Sequence, residues 1–317
     1  MGRSFSKAEL IASFNDKVRQ GLYAIETVPC LCGSHELSIM ASRDHFGLWC
    51  PIVLCKRCGL VFANPRLTAD AYEQFYASNE YRFIYDGEDY LEHAEKHFED
   101  GYGEHIFADV APIMQQRGLS TVLEIGCGAG WNLAPFKRQG YEVLGYDYSP
   151  TLVSLGKKRG LNLLSGSFNV DSAKKYDVII LNHVIEHFPN IIDKMKEIIN
   201  KLNHQGIIYI GVPNVYKYLQ FVLPHVYYFS PKTFAYYIQM CGLRSIKSGS
   251  AQDIHMFGIF EISNCPKETV SLNNEYYVMM VKILKYKLKS RLTCVLEKLN
   301  LKDPLKKFLA QVKNLVH

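Results

Sequence analysis

The sequence predicts an α/β fold: an open sheet with helices on both faces, preceded by a small cysteine-bearing module and followed by C-terminal helices. Two observations carry that expectation. A short apolar run, Thr121-Val122-Leu123-Glu124-Ile125, leads directly into a glycine turn and then a helical stretch from Trp131, and further apolar runs follow at the intervals of strand–helix–strand units. Two close cysteine pairs stand within the first sixty residues. A chain of 317 residues, 48% hydrophobic and 21% charged, is long and apolar enough to bury cores for about two domains.

The elements divide the chain into five parts: an N-terminal helical segment (1–25), the cysteine module (26–67), a helical cap or linker (68–118), the sheet domain (119–265) and a basic helical tail (266–317). Apolar stretches such as that between Tyr176 and Ile185 fall well short of the roughly 18 residues a bilayer span needs. The first fourteen residues lack an apolar core followed by a small-residue cleavage site, so the expected compartment is the cytoplasm. Net charge is +5, but residues 267–317 hold eleven Lys or Arg against four Asp or Glu, which leaves the body near neutral. A near-neutral body argues against a nucleic-acid substrate.

In the module, Cys30-Leu31-Cys32-Gly33 and Cys55-Lys56-Arg57-Cys58-Gly59 form two pairs about twenty residues apart. Pairs on tight turns, each followed by glycine, point thiolates the same way, so the spacing predicts a zinc-ribbon-like site of Cys30, Cys32, Cys55 and Cys58. The first pair is C-x-C, one residue shorter than the commonest form, and His35 and Cys50 are nearby spare ligands. A four-ligand site is closed and therefore structural. The competing expectation is four small buried hydrophobes. The aromatics of the cap, among them Tyr72, Phe75, Tyr76, Tyr81 and Tyr85, have helical spacing and are expected in a core.

After the strand comes Gly126-Cys127-Gly128-Ala129-Gly130. Glycines here permit a tight turn and bring a ligand against backbone at a helix start. The spacing is G-x-G-x-G, and Trp131 stands where a dinucleotide fingerprint needs its third glycine, which disfavours NAD. A second strand, Glu142-Val143-Leu144-Gly145-Tyr146, ends in Asp147, placed to accept from two ribose hydroxyls.

On these residues the sequence resembles the class I S-adenosylmethionine-dependent methyltransferases, whose fold is Rossmann-like. The likeness continues through Tyr176-Asp177-Val178-Ile179-Ile180-Leu181-Asn182-His183-Val184-Ile185-Glu186-His187, similar to the family's fourth strand and the turn after it, and through Gly206-Ile207-Ile208-Tyr209-Ile210-Gly211-Val212-Pro213-Asn214, similar to its fifth. The resemblance implies that Glu124, Gly126, Gly128, Gly130 and Asp147 bind S-adenosylmethionine, with Asn182 and His183 at its methionine end. Where many members place an acid for the adenine, this chain has Ser167 and Phe168, which take that role by acceptance and packing. The module's end, Gly59-Leu60-Val61-Phe62-Ala63-Asn64-Pro65-Arg66, with Phe75-Tyr76 and His225-Val226-Tyr227-Tyr228-Phe229-Ser230, looks like methyltransferases of sugar and surface-polysaccharide biosynthesis. The longer sugar C-methyltransferases carry a further C-terminal domain for which some fifty residues are too few.

In-line methyl transfer to a sugar or glycan hydroxyl calls for a base, and two histidines qualify by location: His187 after the fourth strand and His225 after the fifth. Glu186 is expected to orient His187 or to be a solvated helix-start acid, and not to be the base; His255 is expected to be structural. In the tail, Val281, Leu284, Leu288, Leu292, Val295 and Leu299 alternate with lysines as an amphipathic basic helix, suited to an anionic membrane's inner face or to docking on protein. The alternatives are an acceptor of another small-metabolite class (phenol, amine or lipid head group) or a non-catalytic scaffold that binds zinc and S-adenosylmethionine.

Overall fold

The computed structural model describes residues 6–85, 87, 89–168, 173–251, 254–263 and 270–298. Helix α1 (Lys7–Arg19) starts at a capping box in which Ser6 and Glu9 satisfy each other's backbone donors. It buries Phe14 against the rings of Tyr23 and Phe75. Strands β1 (Ile25–Glu26), β2 (Leu37–Arg43), β3 (Trp49–Cys55), β4 (Val61–Ala63) and β5 (Arg66–Leu67) follow. Four helices cover the next stretch: α2 (Ala69–Ala77), α3 (Asn79–Tyr85), α4 (Tyr90–Glu99) and α5 (Glu104–Arg117). Phe75, Tyr76, Tyr81 and Tyr85 pack edge-on or tilted in one cluster, as their helical spacing implies.

The remaining elements are β6 (Thr121–Ile125), α6 (Ala134–Arg138), β7 (Glu142–Asp147), α7 (Pro150–Lys158), β8 (Leu163–Ser165), β9 (Tyr176–Asn182), a 3-10 turn (Ile185–His187), α8 (Ile191–Ile199), β10 (Leu202–Pro213), β11 (Tyr227–Tyr228), α9 (Pro231–Met240), β12 (Leu243–Ala251), β13 (His255–Ile262) and α10 (Glu275–Lys298). The central sheet has seven strands in the order β12-β13-β10-β9-β6-β7-β8. β8, β7, β6, β9 and β10 run parallel, while β13 pairs antiparallel with both β10 and β12. This is the mixed α/β, Rossmann-like architecture that the glycine turn and apolar runs predicted. The order turns back between β6 and β9, and such a switch point opens a crevice at the carboxyl ends of the strands. Val178, Ile179, Ile180 and Leu181 are all fully buried, as expected of a strand covered on both faces.

The helix expected from Trp131 begins later, at Ala134, because residues 131–133 form turns anchored on Gly130 O and Pro135 sits in the first helical turn. A second sheet, β11-β4-β3-β2, is antiparallel throughout. Its edge strand β11 lies 160 residues down the chain from the cysteine module it completes, and Ala63 N donates to Val226 O at 2.9 Å beside it. α10 buries Met279 and Ile283, whereas Val281, Leu284 and Leu288 are half exposed or more, so the face seated on the protein is not the stripe singled out in the sequence. Leu292 and Val295 lie in α10 beyond the described side chains, and Leu299 lies outside the described residues. No described helix is long and apolar enough to cross a membrane.

Candidate active site and cysteine cluster

The glycine turn follows β6 with Gly126, Gly128 and Gly130 all at positive φ. At Gly126 a Cβ would lie 2.6 Å from Val184 Cγ2, and at Gly128 2.6 Å from the Trp131 ring, so neither backbone conformation nor space admits a side chain. Asp147 ties the loop to β7: its Oδ2 accepts from Gly128 N at 2.8 Å and its Oδ1 from Ser149 N at 2.8 Å. Glu124 is fully buried, and its Oε1 accepts from Asn132 Nδ2 at 2.7 Å. Burial pushes its carboxyl up to about 8, so it is held protonated near neutral pH. Its Oε2 is buried without a hydrogen-bond partner. Asn132 is a supporting residue that sequence reasoning passed over.

Ser167 is exposed after β8, and Phe168 stands edge-on to Tyr146, one residue before Asp147. Asn182 ends β9 with its Oδ1 over Gly211, where a Cβ would come within 2.3 Å. His183 adopts φ 57° and donates its backbone N–H to Gly211 O. Its Nδ1 stands 3.4 Å from Glu186 Oε1, and its ring meets that of His255 at 4.3 Å. His183, expected at the cofactor's methionine end, thus also borders the histidine group.

That group is the second half of the site. Ligand atoms of Glu186, His187 and His225 lie within 4.8 Å of one another. Val226 N donates to Glu186 O at 2.8 Å, which joins the loop bearing His225 to the 3-10 turn bearing the other two. Tyr76 from α2 reaches His187 Nδ1 at 3.0 Å and donates to Pro224 O at 3.2 Å. The sequence marked Tyr76 only as one half of the Phe75-Tyr76 pair of the resemblance and gave no sign of its contact with His187. Burial lowers His187 and, with the field of His187, brings His225 down to about 3, so both imidazoles are neutral. Burial alone would raise Glu186, but the approach of His183 and the fields of His187 and His225 hold it down at about 2. Glu186, His225, Pro213, Tyr218 and Tyr228 line a small pocket.

The two halves meet at one sheet edge, because Val184, between His183 and Glu186, is the side chain packed on Gly126. Residues 90–247 match the model of a methyltransferase domain. The chain carries a methyltransferase domain. Over 100 residues it is 32% identical to a ubiquinone biosynthesis O-methyltransferase of Rickettsia prowazekii, covering 29% of this chain and 40% of that protein. Over 120 residues it is 33% identical to one of Pelagibacter ubique, covering 35% and 50%. The chain thus spans half or less of these relatives' length. A solved magnesium protoporphyrin IX methyltransferase from Synechocystis shares 15% identity, covers 57% of this chain and 97% of its own, and has a TM-score of 0.45.

Outside the methyltransferase domain, Cys30, Cys32, Cys55 and Cys58 bring their sulfurs within 4.8 Å of one another, with Cys30–Cys58 at 3.4 Å and Cys32–Cys55 at 3.6 Å. Four sulfurs about a zinc ion at roughly 2.3 Å stand about 3.8 Å apart, so the donor set fits that ion, the short first pair included. Cys50 is buried apart from this group, and His35 is exposed and outside it. Tyr237 of α9 donates to Cys58 Sγ at 3.2 Å, linking the cluster to the methyltransferase domain.

Proposed function

We propose that the chain is an S-adenosylmethionine-dependent methyltransferase acting on a hydroxyl of a sugar or glycan precursor. The observation that carries this reading is a glycine loop braced by Asp147 that packs on Val184, next to a group of two part-buried neutral histidines and a buried carboxylate, at one switch point. When bound, S-adenosylmethionine supplies a methyl already activated on a sulfonium. The cradle fits it: glycines stand where a Cβ would fill the space, and Asp147 stands at the end of β7 for the ribose hydroxyls. Asn182 and His183 face the methionine end, and Ser167 and Phe168 face the adenine. The names of the curated relatives favour oxygen as the accepting atom. His187 and His225 are the groups that deal with the proton of the acceptor hydroxyl. The sugar class is supported by the module sequence and the His225-to-Ser230 segment rather than by those relatives.

The four cysteines hold zinc as a closed structural site, supported by their spacing and donor set. The protein works in the cytoplasm, with the exposed side of α10 available to an anionic membrane surface. Calorimetry with S-adenosylmethionine tests the reading: micromolar-range binding is expected, weakened about tenfold or more in Asp147→Ala, as for loss of a charged partner of two hydroxyls. Wild-type protein that does not bind the cofactor would sink it and favour a scaffold.

A further inference from the structure

Glu186 is only 1% exposed, and neither of its carboxylate oxygens has a hydrogen-bond partner. Among the described residues its ion-pair contact is the His183 ring at 3.4 Å. A buried carboxylate left without donors or a cation is strongly disfavoured, so this side chain asks for a positive charge beside it. What stands beside it is a pair of imidazoles from two different segments, with one ligand atom of each of the three residues inside 4.8 Å of the other two. His187 Nδ1 lies 2.9 Å from Pro224 O; donation to that carbonyl makes Nε2 the lone-pair nitrogen. A backbone carbonyl fixes metal-ligating histidines in the same way. Two imidazoles and one carboxylate suit a divalent first-row cation and leave coordination positions open.

We propose that Glu186, His187 and His225 bind a divalent cation whose open positions take the acceptor hydroxyl and a neighbouring oxygen, as two adjacent hydroxyls of a sugar would offer. The proposal rests on the methyltransferase reading of this site and specifies how its histidines act. They promote loss of the acceptor's proton through the cation instead of accepting it themselves. The acceptor O–H bond breaks and its proton passes to solvent. An O–CH3 bond then forms as the S–CH3 bond of the methyl donor breaks, with the electron pair staying on sulfur. This cation is separate from that of the cysteine cluster, whose soft thiolates select another kind of ion.

Manganese(II) is the probe, because thiolates take it poorly. Titration of the zinc-loaded full chain, followed by electron paramagnetic resonance, is expected to show one bound ion. Affinity falls about tenfold or more in His225→Ala and in Glu186→Gln, at least the loss that removal of a supporting group causes. Pulsed spectra of the wild-type complex, which need no variant to fold, are expected to show coupling to two imidazole nitrogens. Absence of manganese binding, or a bound ion without imidazole coupling, overturns the proposal. Cofactor calorimetry on the same sample separates the two readings: intact cofactor binding with no manganese site removes the cation alone, whereas a manganese site without cofactor binding supports the cation and removes the methyltransferase reading.

Discussion

Glu124 shows how one buried atom sets a pH response. Its folded carboxyl titrates at about 8, well above its ordinary 4.5, because burial disfavours the charge. The folded state therefore binds the proton more tightly than the unfolded one. The stability this contributes is complete below the unfolded value and is lost as pH rises from about 4.5 through about 8, at roughly 1.4 kcal/mol per unit. Urea unfolding at pH 5 and pH 8 is expected to show the cofactor-free wild type losing stability across that interval and Glu124→Gln losing much less. Equal losses in both proteins would place the effect elsewhere. The same residue could be read from sequence as a family position ahead of the glycines, but its protonation could not, since that depends on neighbours from other elements and on exclusion of water.

At the scale of elements, α10 has two faces with different fates. Met279 and Ile283 are buried, and Glu275 at its start accepts from Ser230 Oγ at 2.6 Å and from Tyr216. Tyr277, Val281, Leu284 and Leu288 lie exposed along one stripe at steps of four, three and four, with Lys285 and Lys289 exposed alongside. This stripe, half apolar and flanked by cations, is the surface on which the membrane proposal stands. Co-sedimentation with vesicles containing anionic lipid is expected for the full chain, to fall steeply with added salt, and to be lost in Leu284→Glu with Leu288→Glu; indifference to both salt and substitution would remove α10 as the contact. Helicity here was legible from spacing alone. Which face is seated on the protein was not, because both faces hold apolar residues and only the position of Ser230, Tyr216 and the second cysteine turn chooses between them.

At the scale of the molecule, the cysteine module is joined to the loop bearing His225, the side of the site proposed to take the acceptor. β4 pairs with β11, Ala63 holds Val226, His45 N donates to Phe221 O at 2.7 Å, and Leu223 N donates to Asp44 Oδ2 at 3.2 Å. The loop bearing His225 is thus fastened to the module at several points, whereas the glycine loop and Asp147 are held by β6 and β7. Removing the proposed zinc with Cys58→Ser is therefore expected to separate the two halves of function. Methyl transfer is lost and the thermal transition falls, while S-adenosylmethionine affinity stays within about twofold, as for sites without shared partners. Parallel loss of cofactor affinity would show that the module supports the whole fold and not the acceptor side in particular.

The sequence by itself determined the α/β class, the glycine loop with its acid at the next strand end, and the pairing of the cysteines, because each is a local pattern of spacing whose meaning comes from backbone geometry. Gly126 and Gly128 are legible since no other residue fits such a turn, and Asp147 since a strand end fixes its place. Tertiary structure alone decided that Tyr76 meets His187, that Asn132 meets Glu124, that Glu186 is buried between histidines, and that β11 belongs to the module's sheet. Each of these joins side chains of separate segments or sets the burial of a charge, and both depend on how those segments pack, which one-dimensional spacing does not encode.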